Sequence, residues 1–160
     1  MSLKTADLSD ANENDVAIAE PLFADFGGNI MFHGEIHTLK LFEDNSLVRK
    51  LTGQAGEGKV LVVDGGGSMR CALLGGNLAA QAAKNGWAGI VIYGCIRDSE
   101  EIGAEALGVK ALGTHPKKTP KNGVGEEDVV VHFADVTFTP GHYLYADEDG
   151  LLVSAKKLHD

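Results

Sequence analysis

At 160 residues, one core can bury roughly 70% of the surface that the unfolded chain exposes, so a single domain over residues 1–160 is expected without disulfide or metal staples. Its 23 acidic side chains against 14 Lys and Arg give a formal net charge of −9, which repels phosphate backbones and disfavours direct nucleic-acid binding. No run approaches the ~20 apolar residues of a membrane span, Met1 to Glu20 is polar with no apolar leader core, and Cys71 and Cys95 lie on separate apolar stretches without metal-like spacing, so a soluble, cytoplasmic protein with buried free thiols is expected.

Along the chain, Val16 to Ala19 reads as a short helix, and Gly27-Gly28 marks a break before the first strands. Ile30 to Phe32 and Glu35 to Phe42 read as paired strands about Gly34. Glu43-Asp44-Asn45 is a polar cluster suited to cap a helix over Ser46 to Leu51, and Gly53 to Gly58 is a glycine-rich turn. Val60 to Val63 and Ile90 to Tyr93 are short continuous apolar runs, the pattern of strands covered on both faces. Between them Asn77 to Asn85 is rich in alanine, sets Leu78, Ala79, Ala82 and Ala83 on one side, and meets Gly86 as its stop. Strand, helix and strand in that order predict a parallel crossover. Glu100 to Ala106 then predicts a helix and Val109 to Leu112 a strand. Four more short strands are expected at 129–133, 136–138, 143–146 and 151–154, with turns at Pro140-Gly141 and Asp149-Gly150. The fold class is α/β, a mixed sheet with a parallel crossover and antiparallel C-terminal strands.

The densest chemistry lies between Gly94 and Gly103, just beyond a strand that reads as fully buried. Arg97 is a permanent cation whose planar fork suits a carboxylate, while Asp98 and Glu101 are hard oxygen donors for a divalent metal such as Mg²⁺ or Mn²⁺. Gly75-Gly76-Asn77-Leu78 stands where the alanine-rich helix begins, and the free N–H groups of a first helical turn form a cradle for a carboxylate or phosphate. A parallel crossover sets both segments near one edge of the sheet, where open α/β sheets bind ligands. The competing reading is plainer: a tight turn at Gly75-Gly76, and a surface Arg97–Asp98 pair before a helix capped by Ser99.

Other segments are weaker candidates. Asp64-Gly65-Gly66-Gly67-Ser68 lacks the Gly-Lys-Ser/Thr ending of a phosphate loop and reads as a strand-end turn. The histidines at 33, 37, 115, 132, 142 and 159 show no metal spacing, and Ser68 and Ser99 stand in no nucleophile-elbow context. Lys117, Lys118 and Lys121, in a loop bearing Pro and Gly, read as a solvated surface. The acidic balance suits docking on a basic protein groove.

Together, Val-Val-Asp-Gly-Gly-Gly-Ser (62–68), Gly-Gly-Asn-Leu-Ala (75–79), Asn-Gly-Trp-Ala-Gly (85–89) and Arg97-Asp98 resemble the RraA-like family, which joins the regulator of ribonuclease E activity A to the class II 4-hydroxy-4-methyl-2-oxoglutarate aldolases. Pro21-Leu22-Phe23, Phe42 to Asn45, Gly125-Glu126 and Tyr145 to Gly150 match it too. The resemblance implies a swivelling β/β/α fold, a homotrimer and clefts where subunits meet. It also implies backbone binding of a substrate carboxylate at Gly75 to Leu78, substrate binding by Arg97, a divalent metal on Asp98, and a further acidic motif position at Glu101. The implied reaction is cleavage of a 4-carboxy-2-oxo acid to pyruvate, with decarboxylation of oxaloacetate through the same enolate. The alternative is an inhibitor that binds ribonuclease E. Two positions depart from the pattern: Gly76, where many aldolase relatives carry an acid, and His142, where relatives often carry Asp.

Overall fold

The structure, a computed structural model, describes residues 2–160. Its elements are α1 (Thr5–Ala11), β1 (Val16–Ile18), β2 (Ala24–Asp25), β3 (Phe32–Lys40), α2 (Ser46–Thr52), β4 (Val60–Asp64), β5 (Ala72–Leu74) and α3 (Gly76–Lys84), followed by β6 (Gly89–Ile96), α4 (Ser99–Gly103), β7 (Gly108–Thr114), β8 (Glu126–Glu127), β9 (Val131–Phe133), β10 (Val136–Phe138), β11 (Tyr143–Asp147) and β12 (Gly150–Ser154). The main sheet runs β1-β12-β11-β3-β4-β6-β7-β2, with β5 added beside β6 and β8 beside β3. Its centre, β3-β4-β6-β7, is parallel, whereas β11, β12 and β1 extend it in antiparallel fashion. This is the mixed sheet that the sequence predicts.

The continuous apolar runs have a direct cause, since the parallel strands are covered on both faces. On one face, Leu61, Val63, Ile90 and Ile92 pack against Val48 and Leu51 of α2, Ala79 and Ala82 of α3 and Ile102 of α4. On the other, Val60, Val62 and Val91 meet Val131, Phe133, Val136 and Phe138 of the separate β9–β10 ribbon. Ribbon, sheet and helices form the β/β/α order. Helix α3 ends as its sequence predicts: Gly86 takes the left-handed backbone (φ +83°) that favours glycine after a helix.

Two local expectations fail, and one helix lies where the sequence suggested no element. Residues 16–18 are a strand, not a helix, because Val16, Ala17 and Ile18 pair with Ser154, Val153 and Leu152 of β12; an edge ladder outweighs weak helical periodicity. The polar start of the chain, which shows no helical stripe, holds α1 instead. The Thr5 amide and hydroxyl donate to Asp147 at 2.8 and 2.7 Å, and Leu8 packs with Tyr145 and Leu152. Gly34 does not separate two strands but lies within β3, where a Cβ would come within 2.3 Å of the Gly58 carbonyl oxygen; the glycine marks close backbone approach, not a turn.

Candidate active site

Strand β5, only three residues long, escapes sequence detection, yet it positions the whole site. It pairs in parallel with the end of β6, Ala72 opposite Cys95 and Leu74 opposite Ile96, and the Arg97 amide donates to the Leu74 carbonyl at 2.9 Å. Gly75 and Arg97 therefore leave the sheet side by side.

Asp98 then adopts a left-handed backbone (φ 55°, ψ 44°), a conformation that Asp tolerates better than most side chains. Its carboxylate turns back over the start of α3, where Oδ2 accepts the Gly76 amide at 2.9 Å. Side chains on the two glycines would displace the neighbouring carboxylates from these positions. A Cβ on Gly75 would stand 3.0 Å from Asp98 Oδ2 and 3.5 Å from Arg97 Nε, and one on Gly76 would stand 2.0 Å from Glu101 Oε2.

The first helical hydrogen bond of α3 runs from the Ala79 amide to the Gly75 carbonyl at 3.0 Å, so the Asn77 and Leu78 amides have no acceptor in the described residues. They point outward at the positive end of the helix. The cradle is smaller than the sequence suggests, because Asp98 already occupies the Gly76 amide. The plainer reading of Arg97 does not describe this geometry: no Arg97–Asp98 ion pair forms among the described residues, Asp98 rather than Ser99 is the cap residue of α4, and Arg97 Nη1 donates to the Pro116 carbonyl at 3.4 Å.

These groups form one wall of a cleft of about 270 Å³, a volume suited to a small ligand. Arg97, Asp98 and Gly75 to Leu78 all line it. Glu101 does not. It lies over Gly76 and borders a neighbouring depression that Asp98 also lines. Asp98 Oδ1 and the Glu101 carboxylate have no hydrogen-bond or ion-pair partner among the described residues. Two such hard oxygen donors fit a Mg²⁺- or Mn²⁺-sized ion that retains waters and takes substrate oxygens. No group of three or more His, Cys, Asp and Glu among the described residues is arranged to hold a metal.

The opposite wall contains Lys118 and Lys121 of the loop from His115 to Gly125, which sequence reasoning left on the surface, and Arg49 of α2 and Gln81 of α3, which it did not single out; Asn45 and Ala72 also line the cleft. Asp44 and Asn45 fix that loop. Buried Asp44 accepts the Ser46 amide and hydroxyl at 2.9 and 2.6 Å and the Asn122 amide at 2.7 Å. Asn45 receives the Thr119 hydroxyl at 2.9 Å and donates its own backbone amide back to that hydroxyl at 3.0 Å. Burial alone would push the Asp44 carboxyl up, but these donors, with Val124, hold it below the ordinary carboxylate value. No local signal marks this wall: Thr119 is buried against Asn45, far earlier in the chain, and that contact aligns Lys118 and Lys121 with the cleft. The histidines and cysteines contribute no lining residue.

Comparison with known proteins narrows the identity. A protein of Alkalilimnicola ehrlichii named "Putative 4-hydroxy-4-methyl-2-oxoglutarate aldolase" is 58% identical over 99% of this chain and 98% of its own. A protein of Aromatoleum aromaticum with the same name is 60% identical over 99% of each chain. Among solved structures, the RNA-processing inhibitor RraA from Thermus thermophilis superposes with a TM-score of 0.95 at 47% identity, covering 99% of this chain and 96% of that one. A Geobacillus kaustophilus protein described as an S-adenosylmethionine:2-dimethylmenaquinone methyltransferase also reaches 0.95, at 51% identity over 97% and 96% of the two chains. Three different activities are thus attached to one architecture. The RraA-like family, described as Aldolase/RraA, matches residues 5–153, and the chain belongs to it.

Proposed function

We propose that this protein is a class II, divalent-metal-dependent lyase that cleaves 4-hydroxy-4-methyl-2-oxoglutarate-type 2-oxo acids to pyruvate and decarboxylates oxaloacetate through the same pyruvate enolate. The observation that carries this reading is the convergence of Arg97, Asp98 and the free Asn77 and Leu78 amides on one small cleft. The aldolase names of the curated relatives support the same reaction.

The substrate's C1 carboxylate lies against the Asn77 and Leu78 amides, donors fixed by the helix and needing no reorganisation. Arg97 lies beside the 2-oxo group, its guanidinium oriented by the Pro116 carbonyl. Asp98, with Glu101 beside it, would hold the divalent ion, which when bound supplies Lewis-acid stabilisation of the 2-oxo oxygen. In retro-aldol cleavage the C3–C4 bond breaks and its electron pair moves to the C2 oxygen. The C4 hydroxyl proton leaves to an ordered water, so that C4 becomes the carbonyl of the second product. Arg97 stabilises the enolate oxygen more than the ground-state ketone, and that difference lowers the barrier. Loss of CO₂ from oxaloacetate delivers the same electron pair to the same oxygen. Protonation of C3 gives pyruvate in both cases.

The active unit is proposed to be a homotrimer, with subunit contact covering exposed apolar side chains such as Phe42 (56% exposed) and Met69 (53% exposed); its mass in solution tests this. The decisive assay measures pyruvate from both substrates with Mg²⁺, with chelator and in Asp98→Ala. Metal-independent background rates in wild type and variant alike overturn the lyase. A second reading, inhibition of ribonuclease E, draws on the RraA relative and on the net charge of −9, which suits a basic protein groove. Titration against that enzyme at physiological salt tests it, and absence of association at micromolar concentration removes it.

A further inference from the structure

One margin of the main sheet takes no part in the proposed chemistry. β1 is its terminal strand, paired with β12 through Val16 and Ser154, Ala17 and Val153, and Ile18 and Leu152, and the ladder continues where the Ala19 amide donates to the Leu151 carbonyl at 3.1 Å. Hydrogen-bonded residues alternate along an antiparallel pair, so Ala17 and Ala19 face β12, while the amides and carbonyls of Val16 and Ile18 point outward. Sheets commonly protect such an edge with a Lys, a Pro or a bulge inside the strand. Val16-Ala17-Ile18 carries none of these. The opposite margin differs, since β2 has only two residues and its Asp25 is tied to buried Lys110 at 2.9 Å.

Each face of the sheet beside the β1 edge holds a depression. On the face toward α1, Ile18 (56% exposed) and Leu152 border a hollow of about 200 Å³ whose far side is Ala6 and Ser9. On the face toward the β9–β10 ribbon, Glu20, Pro21 and Phe23 border one of about 100 Å³. The Asp149-Gly150 turn belongs to both. Glu20, Glu148 and Asp149 form no ion pair among the described residues, and the single base lining either hollow, Lys110, is buried in its pair with Asp25.

That charge selects the occupant. A second copy would bring the same carboxylates to its own edge, and like charges across a strand pair are destabilising; a phosphate backbone or an anionic lipid surface is repelled as well. An extended segment in which Lys or Arg alternates with aliphatic residues fits, because successive side chains of an added strand reach opposite faces. Its main chain pairs with Val16 and Ile18, its aliphatic side chains enter the hollow beside Ile18, and its cations meet Glu20 and Asp149 on the other face. We infer that the β1 edge binds such a basic segment of a partner protein as a further antiparallel strand. This surface shares no lining residue with the Arg97 cleft, and the inference is independent of the ribonuclease E reading, which names an enzyme and no surface.

The test measures fluorescence anisotropy of labelled peptides with the full-length protein at low salt. A peptide alternating Arg and Val is expected to bind at least about tenfold more tightly than one alternating Glu and Val. Residues directly opposite Val16 and Ile18 carry their side chains on the α1 face, so the Val amides make the bonds: N-methylation of the Val residues should weaken binding about fivefold or more, and N-methylation of the Arg residues should not. I18P removes an outward amide without touching the ladder to β12 and should match the first loss. E20Q/D149N should lower affinity about fivefold, whereas E35Q/E57Q, an equal loss of charge from residues lining neither hollow, should retain it. Absence of binding by the Arg-Val peptide, equal affinity for the Glu-Val peptide, equal losses from the two methylations, or an equal fall in E35Q/E57Q each overturns the assignment. Should I18P fail to fold by circular dichroism, the methylated peptides read the same bond from the partner's side with wild-type protein.

Discussion

The two walls of the cleft are built in different ways. The wall of Gly75 to Leu78 and Arg97-Asp98 is made of main chain at adjacent parallel strand ends, and its one side-chain tie, from the Gly76 amide to Asp98, spans 22 residues. The wall of Lys118 and Lys121 is a loop that side chains hold in place across 74 to 80 residues, through Asp44 and Asn45. The first is therefore as rigid as the sheet. The second rests on a backbone bridge to Ala72 and, past that point, on one buried carboxylate and one buried amide. Substitutions on the sheet wall should change chemistry with little change in stability, and substitutions under the loop should change stability first and activity through it.

The largest effect is expected at Asp98, an exposed residue that is central to the proposed reaction. Asp98→Ala should lower kcat about 10²–10³-fold, the scale of losing one preorganised electrostatic partner, and chelation of the divalent ion should do the same. Thermal unfolding should move by about 1–2 kcal/mol, because the solvated residue gives up a single hydrogen bond and alanine takes the left-handed backbone less readily than Asp. A folded variant with undiminished pyruvate production would remove Asp98 from the chemistry.

Asp44 should behave in the opposite way. Asp44→Asn places an NH₂ group against the donors that the carboxylate now accepts, with a stability loss of about 2–4 kcal/mol for a buried charge-assisted network. Proteolysis should then begin within residues 115–125. The acid dependence arises from the depressed carboxyl: its stabilisation is complete above the ordinary carboxylate value and is lost as pH falls through the lower folded value. Urea titrations from pH 6 to pH 3 should show an acid limb in wild type that is shallower in Asp44→Asn.

The same contrast explains what could be read from the sequence. The parallel strands at 60–64 and 89–96 and helix α3 announce themselves through apolar runs and alanine spacing, because one core covers them from both sides. Arg97, Asp98 and the Gly75–Leu78 turn are then placed by that crossover. The loop wall is not, since nothing local in Lys118 or Lys121 reveals that Thr119 is buried against Asn45, far earlier in the chain. Helix α1 and strand β1 stay hidden for the same reason: Thr5 is tied to Asp147 across 142 residues, and Val16 to Ile18 borrow their ladder from β12. Gly76 lies between these cases. Its place in a turn is evident, but the Glu101 carboxylate filling the space beside it is visible only in three dimensions.

That contact gives a prediction of intermediate size. Gly76→Ala puts a Cβ about where Glu101 Oε2 now lies, 2.0 Å away, so the flexible carboxylate must swing aside and leave Asp98 without its neighbour. Pyruvate production should fall about tenfold, while stability changes by less than about 1 kcal/mol because alanine also favours the helix. If Glu101 matters through its carboxylate, Glu101→Ala alone should match Gly76→Ala and the double variant should be no worse than either. Additive losses would show that the two residues act separately.

The smallest effect belongs to the C-terminal end, remote from the sheet centre. The Tyr145 hydroxyl accepts the Leu158 amide at 2.8 Å and pairs with His159 Nδ1 at 2.6 Å, while His33 stacks on Tyr145 and meets His159 edge to face at 4.6 Å. Burial pulls both imidazoles below their ordinary value near 6.5, and for His159 the neighbouring His33 and Lys157 add to the effect while Asp160 opposes it. Folding thus favours the neutral rings. Their contribution is complete above about pH 6.5 and declines as pH falls toward the lower folded values. Between pH 7.5 and 5.5 the Leu158 amide should lose protection from hydrogen exchange, while the melting temperature drops by no more than about 2–4 °C because only the chain end is released. His159→Gln should remove most of that local change and leave the protection of β4 and β6 unaltered, because these strands draw their stability from a core that neither histidine touches.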